Sequence, residues 1–278
     1  MSIATFIPSV WSARLLEHLD NTHVYASLVN RDYEGEIRAF GDTVHINQIG
    51  DITINDFLGG AISDPEELDG KKMDLYIDQA KYFNFQIQDL DNAQTNPKLV
   101  DAAMQRASYG LNDVVDCYLA QLLVSGAPAE STLTAASITS ENAYDKLVDL
   151  GVILTEHNVP MVGRWVVVPA WFHGLLLKDP RFVGNGTGYN QAILQSGWVG
   201  DAAGFRIHVS NNVPVTDNTY SIVAGTNAAG SFAEQLVELE AYRLEKGFAD
   251  AVKGLHVYGA KVTQPKALAL LKCSKPGA

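Results

Sequence analysis

One long amphipathic helix constrains this chain more than any other feature. Asn96 can cap it and Pro97 suits its first turn. Apolar residues then recur every three or four positions, at Val100, Ala103, Ala107, Leu111, Val114, Tyr118 and Leu122, until Gly126 and Pro128 end the pattern. The spacing predicts a helix over 97–124 of about 27 residues, roughly 40 Å at the α-helical rise. Typical helices run less than half that length. Such a rod is an unusual companion for the mostly antiparallel patterns around it.

From 31 to 92 the period is two. Val44 and Ile46 alternate with His45 and Asn47, and Ile52 and Ile54 with Thr53 and Asn55. Met73, Leu75 and Ile77 share a face, as do Phe83, Phe85 and Ile87. Between them "FLGGAISDPEELDGKK" (57–72) is longer than a tight turn requires and predicts an extended hairpin tip. Residues 140–157 predict a second amphipathic helix with Tyr144, Leu147, Val148, Gly151 and Leu154 inward. "NVPMVGRWVVVPAWFHGLLLKDPRF" (158–182) follows, with a buried strand at 164–168, Pro169 as its stop and a short helix to Asp179. Residues 183–204 carry six glycines. Beyond them, 205–215 and 220–224 predict strands, "AAGSFAEQL" (228–236) a helix, "VELEAYRLE" (237–245) a strand, and "GLHVYGAKVTQPKAL" a last strand ending at Pro265. There are no repeats and no low-complexity linker, so the expected class is α+β in one intertwined unit.

Reactive motifs are missing from the sequence. It has no phosphate-binding Gly-rich loop with Lys-Ser/Thr, no Gly-x-Ser-x-Gly, no His-Glu-x-x-His and no Cys-x-x-Cys. The seven histidines stand singly, with no pair at the helical spacing that would present two metal ligands on one face. The expectation is therefore no enzyme, no cofactor and no metal. A net charge of -12 without a dense Lys/Arg cluster argues against sequence-specific or broad binding of a nucleic-acid backbone. Cys117 and Cys273 lie too far apart to suggest a disulfide framework, no signal peptide opens the chain, and the longest apolar run is too short for a bilayer. A soluble protein made in a reducing cytoplasm is expected.

Five segments, in order, carry a resemblance: "FIPSVWSARLLEHLD", "NRDYEGEIRAFGDTVHINQIGDI", "LTEHNVPMVGRWVVVP" with "LLLKDPRF", "SGWVGDAAGFRIHVSNNVP" and "FADAVKGLHVYGAKVTQPKAL". Together they resemble a major capsid protein of tailed bacteriophages with the Hong Kong 97 fold. The resemblance implies an N-terminal arm at 1–30, an extended β-hairpin E-loop at 31–80, and a peripheral domain at 81–126 and 236–278 that includes the spine helix 97–124. It also implies an axial domain at 127–235. Asn158, Pro160, Gly163 and Arg164 match the family's turn into the central axial strand and are taken as structural positions. The implied function is self-assembly through hexamers and pentamers into an icosahedral shell around double-stranded DNA. The implied partners are further copies of the chain, a separate scaffolding protein, a portal and decoration proteins, with no membrane. The implied location is the virion, after synthesis in the bacterial host cytoplasm. An encapsulin-like compartment of the same fold, holding an enzyme cargo, is the alternative, kept open by "SVWSARLLEHLD" as a cargo-binding helix.

Charge is unevenly distributed along the chain. Residues 31–80 hold twelve acids and four bases, whereas 243–278 hold seven bases and two acids. With these segments placed on adjacent subunits, Asp64, Glu66, Glu67 and Asp69 are expected to approach Arg243, Lys246, Lys253 and Lys261 of a neighbour.

Overall fold

A computed structural model describes residues 24–33, 40–49, 54, 70–88, 98–135, 137–179, 181, 199–244 and 249–276. In chain order the elements are β1 (Thr43–Ile49), β2 (Gly70–Tyr76), β3 (Gln79–Gln88), α1 (Lys98–Gly126), β4 (Thr132–Ala135), α2 (Ala143–Glu156), β5 (Trp165–Val168), α3 (Ala170–Lys178), β6 (Asp201–Ala202), β7 (Phe205–Val209), β8 (Val215–Thr216), β9 (Thr219–Gly225), β10 (Gly230–Arg243), β11 (Ala249–Val262) and β12 (Leu268–Ser274). The described strands form three sheets. β1 pairs with β2; β10, β11 and β3 form a second sheet in that order; and β4-β12-β9-β5-β7-β6 forms the third, with β8 attached to β9.

The long helix is present as 29 residues, Lys98–Gly126. It is shared between two cores. Met104 and Leu111 pack on Val252 with Phe83, Phe85, Leu236 and Leu239 of the β10-β11-β3 sheet. Val115, Leu119, Ala120 and Leu123 join the main core, which includes Val166, Val168, Ile222, Val223, Leu268 and Leu270 of the large sheet. The opposite face of the three-stranded sheet is covered by the base of the β1–β2 hairpin, where Val44, Ile46, Leu75 and Ile77 close on Ala233 and Val257. The period-two patterns through Val44 and Ile46 and through Leu75 and Ile77 thus do what alternation implies, burying one face and leaving the other wet, whereas Ile54, expected on a strand face, lies outside the strands and is 94% exposed. Gly259 allows this layering. A Cβ there would collide with the Tyr76 carbonyl and reach the Ile77 backbone, where the chain turns from β2 towards β3.

Two expectations fail. The segment 228–236 is not helical: after a short 3-10 turn it runs as the start of β10, paired with β11 from Gly230↔Val262 to Leu236↔His256. Ala, Glu, Gln and Leu favour helix locally, but a ladder of that length and the burial of Phe232 and Ala233 override so weak a preference. The strand expected to stop at Pro265 is followed by another. β12 runs between β4 and β9, parallel to the first and antiparallel to the second. The 236–278 stretch therefore contributes strands to two different sheets.

Candidate assembly surfaces

The opening of the 158–182 stretch is built as a rigid corner. α2 ends with Asn158 in the left-handed region at φ 57°. Asn158 N–H donates to Thr155 O at 3.0 Å and Val159 N–H to Leu154 O at 2.9 Å, the paired bonds of a Schellman helix end. Gly163 supplies a second left-handed turn at φ 78°. Arg164, only 6% exposed, then binds the corner together. Its Nε donates to Pro160 O at 3.0 Å, Nη1 to Gly151 O and Thr155 Oγ1 at 3.1 Å each, and Nη2 to Val159 O at 2.6 Å. All four residues of β5 are buried directly after it, and Pro169 caps α3. The four residues singled out from the sequence thus converge on a single turn, with Arg164 at its centre.

Outside that corner apolar side chains are exposed beside Thr155 and Glu156. Val148 and Val152 on α2 and Met161 and Val162 on the turn are four of the eleven exposed large hydrophobic residues among the described residues, with Val162 89% exposed. An apolar groove of about 370 Å³ lined by Val148, Val152, Met161 and Ala203 lies between α2 and the β6–β7 turn. Val148, expected inward, faces outward: Leu147, Leu150 and Leu154 fill the core side of α2, and Gly151 lies against the Phe205 ring. Patches of this kind mark contact with another macromolecule.

The other end of α2 is tied to α3 through Arg181. Its Nε donates to the buried Asp179 carboxylate at 3.0 Å, Nη1 donates to Asp145, and Nη2 to Glu141 O at 2.6 Å. Those two carboxylates raise its pKa further above the usual arginine value. His173 accepts the Val199 N–H on Nε2 at 3.2 Å, tying α3 to the stretch just before β6. Burial lowers the pKa of His173. It does the same for His208, helped by Arg206. Both rings are depressed relative to the unfolded value of about 6.5, so the unfolded chain takes up protons first as pH falls. Stability is therefore expected to be full above that value and to drop as pH falls below it. Urea midpoints at pH 7.5 and 5.0 check this, with a His173→Gln/His208→Gln variant losing less on acidification than the native chain. Equal losses would remove the histidines from the explanation.

The segment entering from the N-terminal side is also tied down. Asp116 of α1 accepts N–H groups from Val24 at 2.9 Å and Tyr25 at 3.1 Å. Asn30 bridges to Ser231 at the start of β10, and Arg31 Nη2 donates to Glu234 Oε1 at 2.8 Å. The other Glu234 oxygen receives the buried His256 Nε2 at 3.1 Å. Sequence reasoning missed these groups. A signal existed: Ser108, Asn112 and Asp116 recur every four residues and are all buried, a polar row within the helix.

Among the basic residues proposed for an intersubunit contact, Lys253 is bonded within its own chain. It lies 2.7 Å from Glu240 on the adjacent strand and 5.4 Å from the Tyr242 ring centroid. Arg243 and Lys261 are exposed on β10 and β11. Asp64, Glu66, Glu67, Asp69 and Lys246 lie outside the described residues. Among the described residues no three metal-ligating side chains cluster, and no helix is long and apolar enough to cross a membrane.

Residues 72–271 match the model of a family described as phage capsid protein. No curated protein sequence matches. Among solved structures, one from Mycobacterium phage Che8 is 31% identical, covers 90% of this chain and 91% of its own, and superposes with a TM-score of 0.74. The capsid structure of the cyanophage P-SCSP1u is 14% identical over 89% of this chain and 86% of its own, with a TM-score of 0.68. The holo-SrpI encapsulin complex from Synechococcus elongatus PCC 7942 is 11% identical over 98% and 89%, with a TM-score of 0.55. The last two likenesses are of fold alone.

Proposed function

The chain belongs to the phage capsid protein family and is a major capsid protein of the virion that self-assembles into an icosahedral shell; from that premise we propose that it assembles through hexamers and pentamers around double-stranded DNA. The observation that carries the reading is similarity to a phage protein over nearly the full length of both chains. Function on this reading is spread over contact surfaces, so the chain has no catalytic role and needs no cofactor or metal. We assign the arm to 1–30, the E-loop to 31–80, the peripheral domain to 81–126 and 236–278, and the axial domain to 127–235. Support for the axial assignment is the large sheet that β4, β5, β6, β7 and β9 share, which β12 enters from the C-terminal stretch. Its further partners on this reading are a scaffolding protein and a portal, and the subunit is made in the host cytoplasm.

The test is electron microscopy of purified particles with nuclease treatment. Icosahedral shells with nuclease-protected duplex DNA are expected. Shells that hold protein cargo and no DNA would favour the encapsulin-like alternative, which the weaker likeness to an encapsulin complex keeps in view. The charge supplies a second prediction. With a net -12 per copy, the soluble subunit should bind free duplex weakly and with almost no dependence on salt. Tight, strongly salt-sensitive binding in a titration would contradict it, because such a slope requires phosphate neutralisation by clustered Lys and Arg.

A further inference from the structure

Two buried carboxylates from distant parts of the sequence hold the same short segment. Asp116 projects from the middle of α1 and takes both the Val24 and the Tyr25 N–H, one on each oxygen. Glu234, on β10, takes Arg31 on one oxygen and His256 on the other. Between these points Tyr25 and Ala26 are fully buried in the main core. Asn30 N–H donates to Gly230 O at 2.9 Å, and Phe232 N–H donates to Asn30 O at 2.8 Å. A single anchor would let the segment swivel about one point, whereas two anchors seven residues apart define a line. Bonds to ionised carboxylates are the stronger kind and hold best when buried.

We infer that Asp116 and Glu234 are positioning residues that set the place and direction from which the N-terminal arm leaves its own subunit. The apolar contacts between α1 and the three-stranded sheet are made by other residues, Met104, Leu111 and Val252 among them. Their common product is a fixed root, Val24 to Arg31, for all residues that precede it. The inference rests on the reading of 1–30 as an arm, of which the residues before Val24 would reach neighbouring subunits. In an assembly of many identical copies, an arm that leaves each subunit in one direction meets its neighbour at one place. An arm free to swivel meets it at many.

The test uses full-length chains carrying Asp116→Asn, Glu234→Gln or both. An amide offers one acceptor oxygen where the carboxylate offers two, so Asp116→Asn breaks one bond with little change of shape, and Glu234→Gln removes the charge that strengthens the Arg31 bond. Protease cleavage within 24–33 should accelerate about tenfold in each single variant and more in the double, the size of effect that follows from loosening one charge-assisted bond. Thermal midpoints should stay close to the native value while the yield of closed particles falls. Unchanged cleavage, or faster cleavage with normal particle yield, would overturn the inference. Should either carboxylate variant fold poorly, Arg31→Gln spares both buried groups and carries the same expectation. Trp11→Asp/Leu15→Asp, with the root intact, tests the arm reading by itself. Normal assembly of that variant rejects the arm. Blocked assembly there, with normal assembly of the root variants, rejects the root alone.

Discussion

Gly259→Ala is expected to undock the β1–β2 hairpin from the sheet beneath it and to yield insoluble or unassembled subunits. Gly259 lies three residues before the end of β11, opposite Ala233. The atoms a new methyl would strike are the Tyr76 carbonyl and the Ile77 backbone, not the flexible end of a side chain. That backbone cannot move freely, because Ile77 N–H donates to Asp42 O and Gly41 N–H to Ile77 O, both at 3.0 Å. Relief therefore requires the hairpin base to lift, and Val44, Ile46, Leu75 and Ile77 lose their cover. The expected cost is about 3 kcal/mol or more, at the upper end for overpacking. Denaturant midpoint and soluble yield measure it. Gly110→Ala makes the matched control: the same change in the long helix meets nothing within 4 Å. It should stabilise by about 0.5–1 kcal/mol, because alanine favours helix over glycine. Equal tolerance of both changes would show that the hairpin base does not rest on β11.

Arg164→Leu is the second large effect. The leucine fills much of the space but leaves the Val159 and Pro160 carbonyls without the arginine donor, while Gly151 O keeps the Thr155 hydroxyl. Burial lowers the arginine pKa, yet the guanidinium stays protonated at any ordinary pH and keeps its donors. Removing four bonds made by one charged, buried donor should cost about 2–3 kcal/mol in equilibrium unfolding, part of the loss being made good by water at the exposed side of the turn. Arg164→Lys should recover little, since a single ammonium cannot reach four acceptors arranged around a planar fork. A lysine variant of native stability would show that charge alone matters there.

Periodicity was legible where one face of an element meets one kind of surroundings. The long helix, the alternation through Val44, Ile46, Leu75 and Ile77, and the β5 strand between Arg164 and Pro169 all follow from side-chain spacing. The pattern misleads where an element is covered on more than one side. β10 buries consecutive residues Ser231, Phe232 and Ala233, so no period of two was visible to oppose its helical composition. β12 has the same difficulty: Leu268 to Leu271 are all buried, and a short apolar run after a proline carries no direction. Val148 was misassigned because an apolar stripe cannot distinguish a core from a surface awaiting another molecule. The carboxylates at 116 and 234 went unnoticed because each acts on a backbone or side chain far away in sequence, 92 residues in the longest Asp116 bond. Linear spacing does not report such partners.

The position of β12 governs when a subunit becomes whole. β4 and β9 are both synthesised before it, yet neither touches the other; β12 fills the place between them. A ribosome delivers the chain from the N-terminal side, so the large sheet stays split into two parts until Leu268–Ser274 emerges. Parallel and antiparallel pairings over such separations form slowly, because loop closure precedes any gain from contact. A growing or prematurely ended chain therefore lacks a finished sheet and cannot offer the surfaces that depend on it.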